Sequence, residues 1–517
     1  MTSQIPSKPR VYGEETEYGC AFIDSQSKAR WPQKPQLQHI VKRVTINGDF
    51  IANGGRAYED QNHIEYATPE CICVSDVVRY SKAGEHILNK LAINVTDHIK
   101  QRSSGRVKDR LRFFRHNVDT HREQHLKNSA QRTFGCHENY SFDPQKLNRP
   151  NEEVHSSFAT TSKAVWPISG QPILNLVRAQ PLVVLYNHLL PFLISRFIWQ
   201  GNGNLVYRDG KQQYQLSQRI PHMRALANMS TTINRGIFNW RNEPFSSTVG
   251  RLHIICGDAN MSEFQTYLKF GATGIVMSMI EDGYSFDHLH FKNGVLALNA
   301  LNEQMNLRER YPMAIGEPKS HLQIQREYLK QARAWAHSKC DLKCDLDDEI
   351  TNIIQLWEET LTMLEDNDPV LERRLDWVAK RKLIFTRAEK RSCQAETLDQ
   401  MNLQYHDVDP QKGLYYLLTQ HDLMETFLPH QDVVNAVMRA PEGSRAKTRQ
   451  AVIDYIKQYC SNGVQLEVTR VFWDIIHFNF KKKGITYQKH LELPTPYDTT
   501  DESINRLKQL LIKSHHR

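Results

Sequence analysis

From Val11 to Ile23 the side chains follow a period of two, which predicts a β-strand. Gly13, Glu15 and Glu17 then share one face, and Tyr12, Glu14 and Thr16 share the other. Residues 24–37 form a polar connection containing Pro32 and Pro35, and a short helix is expected over Gln38–Val44. Phe50–Tyr66 reads as one or two strands around an Asn53-Gly54-Gly55 turn. The spacing turns helical over Val77–Lys100, where Ile87, Leu88, Leu91, Val95 and Ile99 make one stripe. Arg251–Cys256 is a short β run. It meets Gly257-Asp258-Ala259-Asn260, a turn with N-cap residues, and a helix is expected through Lys269 with Gly271 at C′. Residues 320–338 and 349–366 read as helices. The second aligns Ile353, Ile354, Trp357, Leu361 and Leu364, and Asp366–Pro369 breaks it. The pattern divides the chain into a large unit, 1–425, and a small one, 426–517. In the small unit helices fill about 430–459, two strands follow at 464–478 and 485–493, and a polar helix ends the chain.

Composition narrows the class. Of 517 residues 40% are hydrophobic and 24% charged, which excludes wholesale disorder and a fibrous protein. The net charge of +8 permits an anionic partner or a nucleotide. No dense basic stripe interleaved with aromatics occurs, so no nucleic acid partner is expected. The basic run Arg102–Lys127 reads as a solvated surface. Pro181–Trp199, the longest apolar stretch, is interrupted by Asn187, His188, Pro191, Ser195 and Arg196. It predicts a buried helix and no membrane span. Nine cysteines without C-x-x-C spacing and a polar Met1–Arg10 lead to the expectation of a reduced, cytoplasmic protein.

Three segments bring polar groups onto strand faces. Glu15 and Glu17 point the same way, about 7 Å apart. Arg56, Tyr58 and Asp60 share a second face, with Glu65 close behind. Arg251 and His253 share a face of the otherwise apolar Leu252-His253-Ile254-Ile255. Carboxylates gathered on one sheet face repel each other unless cations neutralise them. Mg²⁺ takes oxygen ligands and commonly binds one or two carboxylates plus phosphates, and a neighbouring Arg suits a phosphate oxygen. The combination reads as a nucleotide–Mg²⁺ site on a sheet, without a G-x-x-x-x-G-K-[ST] loop. Taken singly, the residues leave blander readings open. Glu15 and Glu17 fit the wet face of an edge strand, His253 a core histidine, Asp60 a turn cap and Trp473 core packing.

Seven ordered motifs, covering about residues 10 to 480, resemble the family of Pup ligases and Pup deamidase-depupylases. They are Gly13–Gly19, Asn53–Glu70, Gly135–Tyr140, Leu216–Arg219, Arg251–Glu263, Leu375–Lys380 and Leu403–Val408. The resemblance implies an α+β fold of the glutamine synthetase and glutamate–cysteine ligase type. Its curved, mostly antiparallel sheet would be backed by helices, with a small C-terminal domain. It implies that Glu15, Tyr58, Glu65, His137 and His253 belong to a Mg²⁺ cluster with Glu17 close by. Arg56, Thr68, Arg251 and Trp473 would hold ATP, and Asp60 would be the catalytic aspartate. The implied partners are a small Pup-like modifier and its conjugates.

The two branches of the family differ in reaction. The ligase activates the modifier's C-terminal Glu as an acyl phosphate for attack by a target lysine, and the depupylase hydrolyses the amide or isopeptide at the same carbon. Ser278–Gly283, Leu403–Tyr415, the spacing Asp60-Gln61-Asn62-His63 and Trp473-Asp474 are depupylase-like. The short 24–49 connection, Met261-Ser262 and Arg381-Lys382 are ligase-like. These matches place hydrolysis first, ligation as the alternative, and a catalytically inactive binding module as the reading from another class. The chain departs from the family pattern at His63-Ile64-Glu65-Tyr66, His116-Asn117-Val118-Asp119 and Trp240–Phe245, so its modifier or target is open.

Overall fold

The computed structural model describes residues 8–24, 29–45, 48–104, 109–118, 133–149, 152–153, 180–208, 211–241, 243, 246, 248–340, 348–389, 394–461, 464–482 and 484–515. Half of the basic run, Asp119, Asn242, Pro244, Phe245, Cys344, Cys393 and the first seven residues lie outside them.

A seven-stranded sheet carries the site. Its strands are β1 (Tyr12–Ile23), β2 (Ala29–Arg30), β3 (Arg56–Asp60), β4 (His63–Ala67), β5 (Arg110–Phe114), β6 (Cys136–Phe142) and, after two small pairs, β11 (Gly250–Ile254). The small pairs are antiparallel β7 (Asn204–Arg208) with β8 (Lys211–Gln215) and parallel β9 (Ala225–Asn228) with β10 (Gly236–Asn239). The order is β11-β6-β1-β4-β3, and every pairing in this sheet is antiparallel. The first half of β1 pairs with β4 and β6, and its second half with β5.

Helices pack on the far side of the sheet. They include α1 (Lys34–Val41), α2 (Val74–Arg102), α3 (Gln180–Ser195), α4 (Glu263–Glu281), α5 (His321–Cys340) and α6 (Asp348–Asp366). The stripe expected in α6 is buried at all five positions. Among the described residues no helix is long and apolar enough to cross a membrane. The apolar run that begins at Pro181 lies in the core within α3 and the short helix after it.

The face of the sheet turned towards the helices also buries charge, fully paired. Arg115 donates to Glu14 and to Glu85, each at 2.7 Å, and Lys269 donates to Glu14 at 3.0 Å. Lys82 completes the Glu85 pair at 3.1 Å, and Arg196 grips Glu138 with two bonds of 2.5 and 2.9 Å. Glu14 and Glu85, so placed, stay ionised. Although burial opposes it, Arg115 and Lys269 hold Glu14 far below the usual carboxylate range.

After α7 (His430–Ala436), a second core forms around α8 (Arg445–Gln458), β13 (Val464–Val471), β14 (Ile475–Lys482), β15 (Ile485–Glu492) and α9 (Thr500–His515), with β12 (Cys460–Ser461) at the edge. Phe50, from the other end of the chain, is buried in this core.

Several expected boundaries move. The helix expected over 38–44 runs from Lys34 to Val41, because Pro35 suits a first turn and Gln33 and Gln36 close a capping box. The β3–β4 hairpin turns at Gln61-Asn62, with φ of 46° and 71°, while Asn53-Gly54-Gly55 precedes it as a separate bend. There Asn53 Oδ1 accepts from the Gly55 N–H at 3.0 Å. Gly271 is not a C′ residue. It lies inside α4, which Ser262 caps, and a Cβ on it would meet the Ile353 side chain at 2.7 Å. Its missing side chain lets α4 and α6 approach. The segment expected as one strand at 464–478 is a hairpin, broken by Phe472-Trp473-Asp474.

Candidate active site

Directly opposed residues of antiparallel strands share a face, so the register assembles the site. One row runs Tyr58–Glu65–Glu17 across β3, β4 and β1. The next runs Arg56–Ala67–Glu15–His137 and ends on β6. Asn139, two residues after His137, faces Gly13 on one side and His253 of β11 on the other. Period two places Asp60 beside Tyr58, and Arg251 beside His253.

Two clusters of potential metal ligands result. One ligand atom each from Glu15, His137 and His253 lie within 4.8 Å of one another, and the same holds for Glu17, Asp60 and Glu65. His137 Nδ1 is 3.4 Å and His253 Nε2 3.5 Å from Glu15 Oε2. Asn139 donates to Glu15 Oε1 at 3.0 Å, and Arg251 donates to Asn139 Oδ1 at 2.9 Å. In the second cluster the Tyr58 hydroxyl donates to Glu65, and the Gly135 N–H donates to Glu17 at 3.0 Å. His63, stacked on Phe134 with ring centroids 4.1 Å apart, places Nδ1 3.9 Å from Glu17.

The electrostatics of this face are unbalanced. Burial pushes Glu65 well above the usual carboxylate range, and the charges of Glu15 and Glu17 push it further. Burial likewise raises Glu17, and it raises the half-buried Asp60 with help from Glu59. Burial opposes ionisation of Glu15, but the His137 and His253 imidazoles beside it hold it well below that range. Burial takes His137 down to about 4, so its imidazole is neutral, the form that ligates metals. His253 is buried, and neither of its ring nitrogens has a hydrogen-bond partner. Carboxylate oxygens and imidazole nitrogens in this arrangement fit a divalent cation, whose charge would relieve the repulsion that lifts Glu65.

A cavity with about 640 Å³ of empty volume opens beside the clusters. Its walls include Glu15, Thr68, Glu70, Arg251, Arg445 and Trp473. Thr68 Oγ1 accepts from the Glu14 N–H at 3.0 Å. Arg56 pairs with Asp49 at 2.7 Å and lies over the Tyr58 and Trp473 rings, 4.8 and 5.8 Å from their centroids. Trp473 meets Phe50 edge-on, centroids 5.3 Å apart. The eleven residues singled out from the sequence therefore lie around one sheet face and the cavity next to it.

Sequence reasoning missed Asn139, Glu70, Arg445 and Arg449. Asn139 links Arg251 to Glu15. Glu70 receives Arg445 Nε at 3.0 Å and Arg449 NH2 at 2.7 Å. Arg445 and Arg449 stand four apart on one helix, and that one-sided spacing of two buried cations was the available signal.

Two of the segments used to choose between the two branches, Ser278–Gly283 and Leu403–Tyr415, face elsewhere, whereas Asp60 and Trp473 lie at the site. Ser278 and Glu281 hold Arg10, and Asp282 accepts from Trp335 Nε1 at 2.8 Å. Tyr405 donates to Asp376 at 2.9 Å, and His406 lies 2.8 Å from Lys380 Nζ. These are packing contacts outside the carboxylate clusters.

A family model described as Pup-ligase protein matches residues 36–476. A depupylase from Acidothermus cellulolyticus is 31% identical over 436 residues, covering 83% of this chain and 75% of the relative. A Pup–protein ligase from Kineococcus radiotolerans is 29% identical over 510 residues, covering 96% of this chain and 98% of the relative. Among solved structures, the Pup ligase PafA in complex with Pup matches with a TM-score of 0.75 at 24% identity, covering 98% of this chain and 93% of that one. PafA in complex with ADP matches with a TM-score of 0.69 at 24% identity, covering 93% of each.

Proposed function

We propose that this chain, which belongs to the Pup-ligase family, is a cytoplasmic ATP- and Mg²⁺-dependent enzyme that joins the C-terminal Glu of a Pup-like modifier to a target lysine. The observation that carries the ligase reading is length. The chain covers 98% of a Pup–protein ligase and only 75% of a depupylase. This reverses the expected order, in which hydrolysis came first. The depupylase at 31% identity keeps amide or isopeptide hydrolysis as the second reading.

In this reading Glu15, Tyr58, Glu65, His137 and His253 hold Mg²⁺, with Glu17 close by. Arg56, Thr68 and Arg251 take the nucleotide's polar groups, and Trp473 offers its ring to the base. Bound Mg²⁺ would supply positive charge against both the phosphates and the carboxylates. Residues 426–517 act as the small unit that walls the cavity. Asp60 accepts the proton that the lysine ammonium must lose before its amine attacks the activated carboxyl, and phosphate then leaves. The burial that raises Asp60 makes it a stronger base for that step.

The test is an incubation with ATP, MgCl₂, a Pup-like modifier ending in Glu and a lysine-bearing protein. One ADP for each conjugate is expected. Cleavage of an isopeptide conjugate with no net ATP use, and no conjugate formed, would replace ligation by hydrolysis. Nucleotide binding with neither reaction would leave the binding module.

A further inference from the structure

We infer that Arg449 is a positioning residue that fixes both ends of the catalytic hairpin and Trp473 through one buried guanidinium. The inference rests on the nucleotide reading above and adds to it a residue that touches neither the carboxylate clusters nor the hairpin's own side chains.

Arg449 is buried, and its two terminal nitrogens make four hydrogen bonds. NH1 donates to Glu70 Oε1 at 3.0 Å and to the Trp473 carbonyl at 2.7 Å. NH2 donates to Glu70 Oε2 at 2.7 Å and to the Gly54 carbonyl at 3.0 Å. Gly54 lies two residues before β3, and Glu70 lies three residues after β4. The strands between them carry Arg56, Tyr58, Asp60 and Glu65. One side chain from α8 thus holds the entry and the exit of the hairpin, and it holds the backbone of the residue proposed to meet the base.

Packing fixes the plane of the fork. The guanidinium carbon lies 4.8 Å from the Phe50 centroid and 5.3 Å from that of Trp473. Gly54, at φ +83°, is in the left-handed region, and an added Cβ would meet Ala440 and Ala446 at 3.3 Å. Its carbonyl is therefore presented by a bend that glycine suits. Arg445 adds a second tie, donating from Nε to Glu70 and from NH1 to the Leu493 carbonyl, both at 3.0 Å. Despite burial, the two arginines hold the Glu70 carboxyl down to about 2, so the clasp is charged on both sides. Lysine cannot reproduce it. An ammonium is a point charge with three donors, whereas this site uses a planar fork with four bonds in fixed directions.

The discriminating variants are Arg449→Lys and Glu70→Gln, each compared with the unaltered full chain. The expected result for Arg449→Lys is an ATP KM raised at least ten-fold, with the KM for the modifier protein within two-fold of the unaltered value. Glu70→Gln, which keeps the shape and one acceptor, should fall between. A merely structural role predicts instead a lower melting temperature with the ATP KM unmoved. Hydrogen–deuterium exchange on the unaltered protein serves where a variant does not fold. Saturating ATP should slow exchange in 54–70 and in 445–475 together. Variants that fold and keep the ATP KM, or protection confined to one of the two segments, overturn the inference. An unaltered chain that binds no ATP overturns the nucleotide reading itself, which is a different result in the same experiment.

Discussion

Glu14 and Glu15 are neighbours on one strand, and they live in opposite electrostatic worlds. Glu14 points to the helices, where Arg115, Lys269 and Ser81 satisfy it. Glu15 points to the open face, where Glu17, Glu65 and Asp60 gather near His137, whose imidazole burial keeps neutral. Both faces contain several carboxylates. On one side each has a cation at hydrogen-bond distance, and on the other burial and mutual repulsion lift Glu65 towards its neutral form. Acidic residues alone do not mark a site. Carboxylates that the protein itself leaves uncompensated mark one, because a ligand must complete the balance.

The largest effect should come from unbalancing the paired face. Arg115→Met leaves Glu14 and Glu85 short of their shared cation, and removing one partner of a buried pair costs about 3–5 kcal/mol. Urea unfolding without nucleotide measures it, and a loss below about 1 kcal/mol would erase the contrast between the faces.

On the open face the same operation should act on ligand binding instead. Glu65→Gln removes a repelled carboxylate, so stability without nucleotide should not fall. The gain from saturating Mg²⁺–ATP, about 3–4 kcal/mol at hundreds to a thousand times Kd, should vanish. Thermal shifts with and without ligand check both halves. A Glu65→Gln protein as unstable as Arg115→Met would place Glu65 among the structural carboxylates.

Asp60→Asn sharpens the comparison within the open face. The amide keeps the shape and loses the basic lone pair, so turnover should fall at least ~100-fold while ATP binding and melting temperature hold. Loss of ATP affinity comparable to that of Glu65→Gln would make Asp60 a ligand and not the base.

Trp473→Ala should have the smallest effect, weakening ATP binding by about 1–3 kcal/mol, the range for a base stacked on an aromatic ring. Calorimetry on the folded variant separates this from core packing, which predicts unchanged affinity and a lower melting temperature.

The parts of this arrangement legible in the sequence are those that period two controls. It assigned Glu15 and Glu17 to one face and Glu14 to the other, and it grouped Arg56, Tyr58 and Asp60 before any fold was known. It had no access to register. That Glu17 faces Glu65, and Glu15 faces His137, depends on pairings over long sequence distances. Local rules failed where a distant contact decides. Gly271 looked like a helix end, yet it is held inside α4 by the approach of Ile353 on α6. The Arg449 clasp stayed hidden for the same reason, since Glu70 and Gly54 lie 379 and 395 residues away from it. Motif resemblance suggested roles that spacing could not, and the similarity to Pup–protein ligases puts ligation ahead of the hydrolysis it placed first.

Phe50 carries a consequence for biosynthesis. Its partners in the small core, Val452 to Leu511, are translated some 400 residues later, which at ordinary elongation rates means roughly 20 to 80 seconds. During that interval the nascent chain carries an aromatic ring whose native pocket does not exist. A ribosome that stalls before codon 452 leaves it exposed, and a C-terminal fragment expressed alone lacks the ring that fills its core. Proteolytic nicking or gene fission between the two units would therefore not yield two independent proteins.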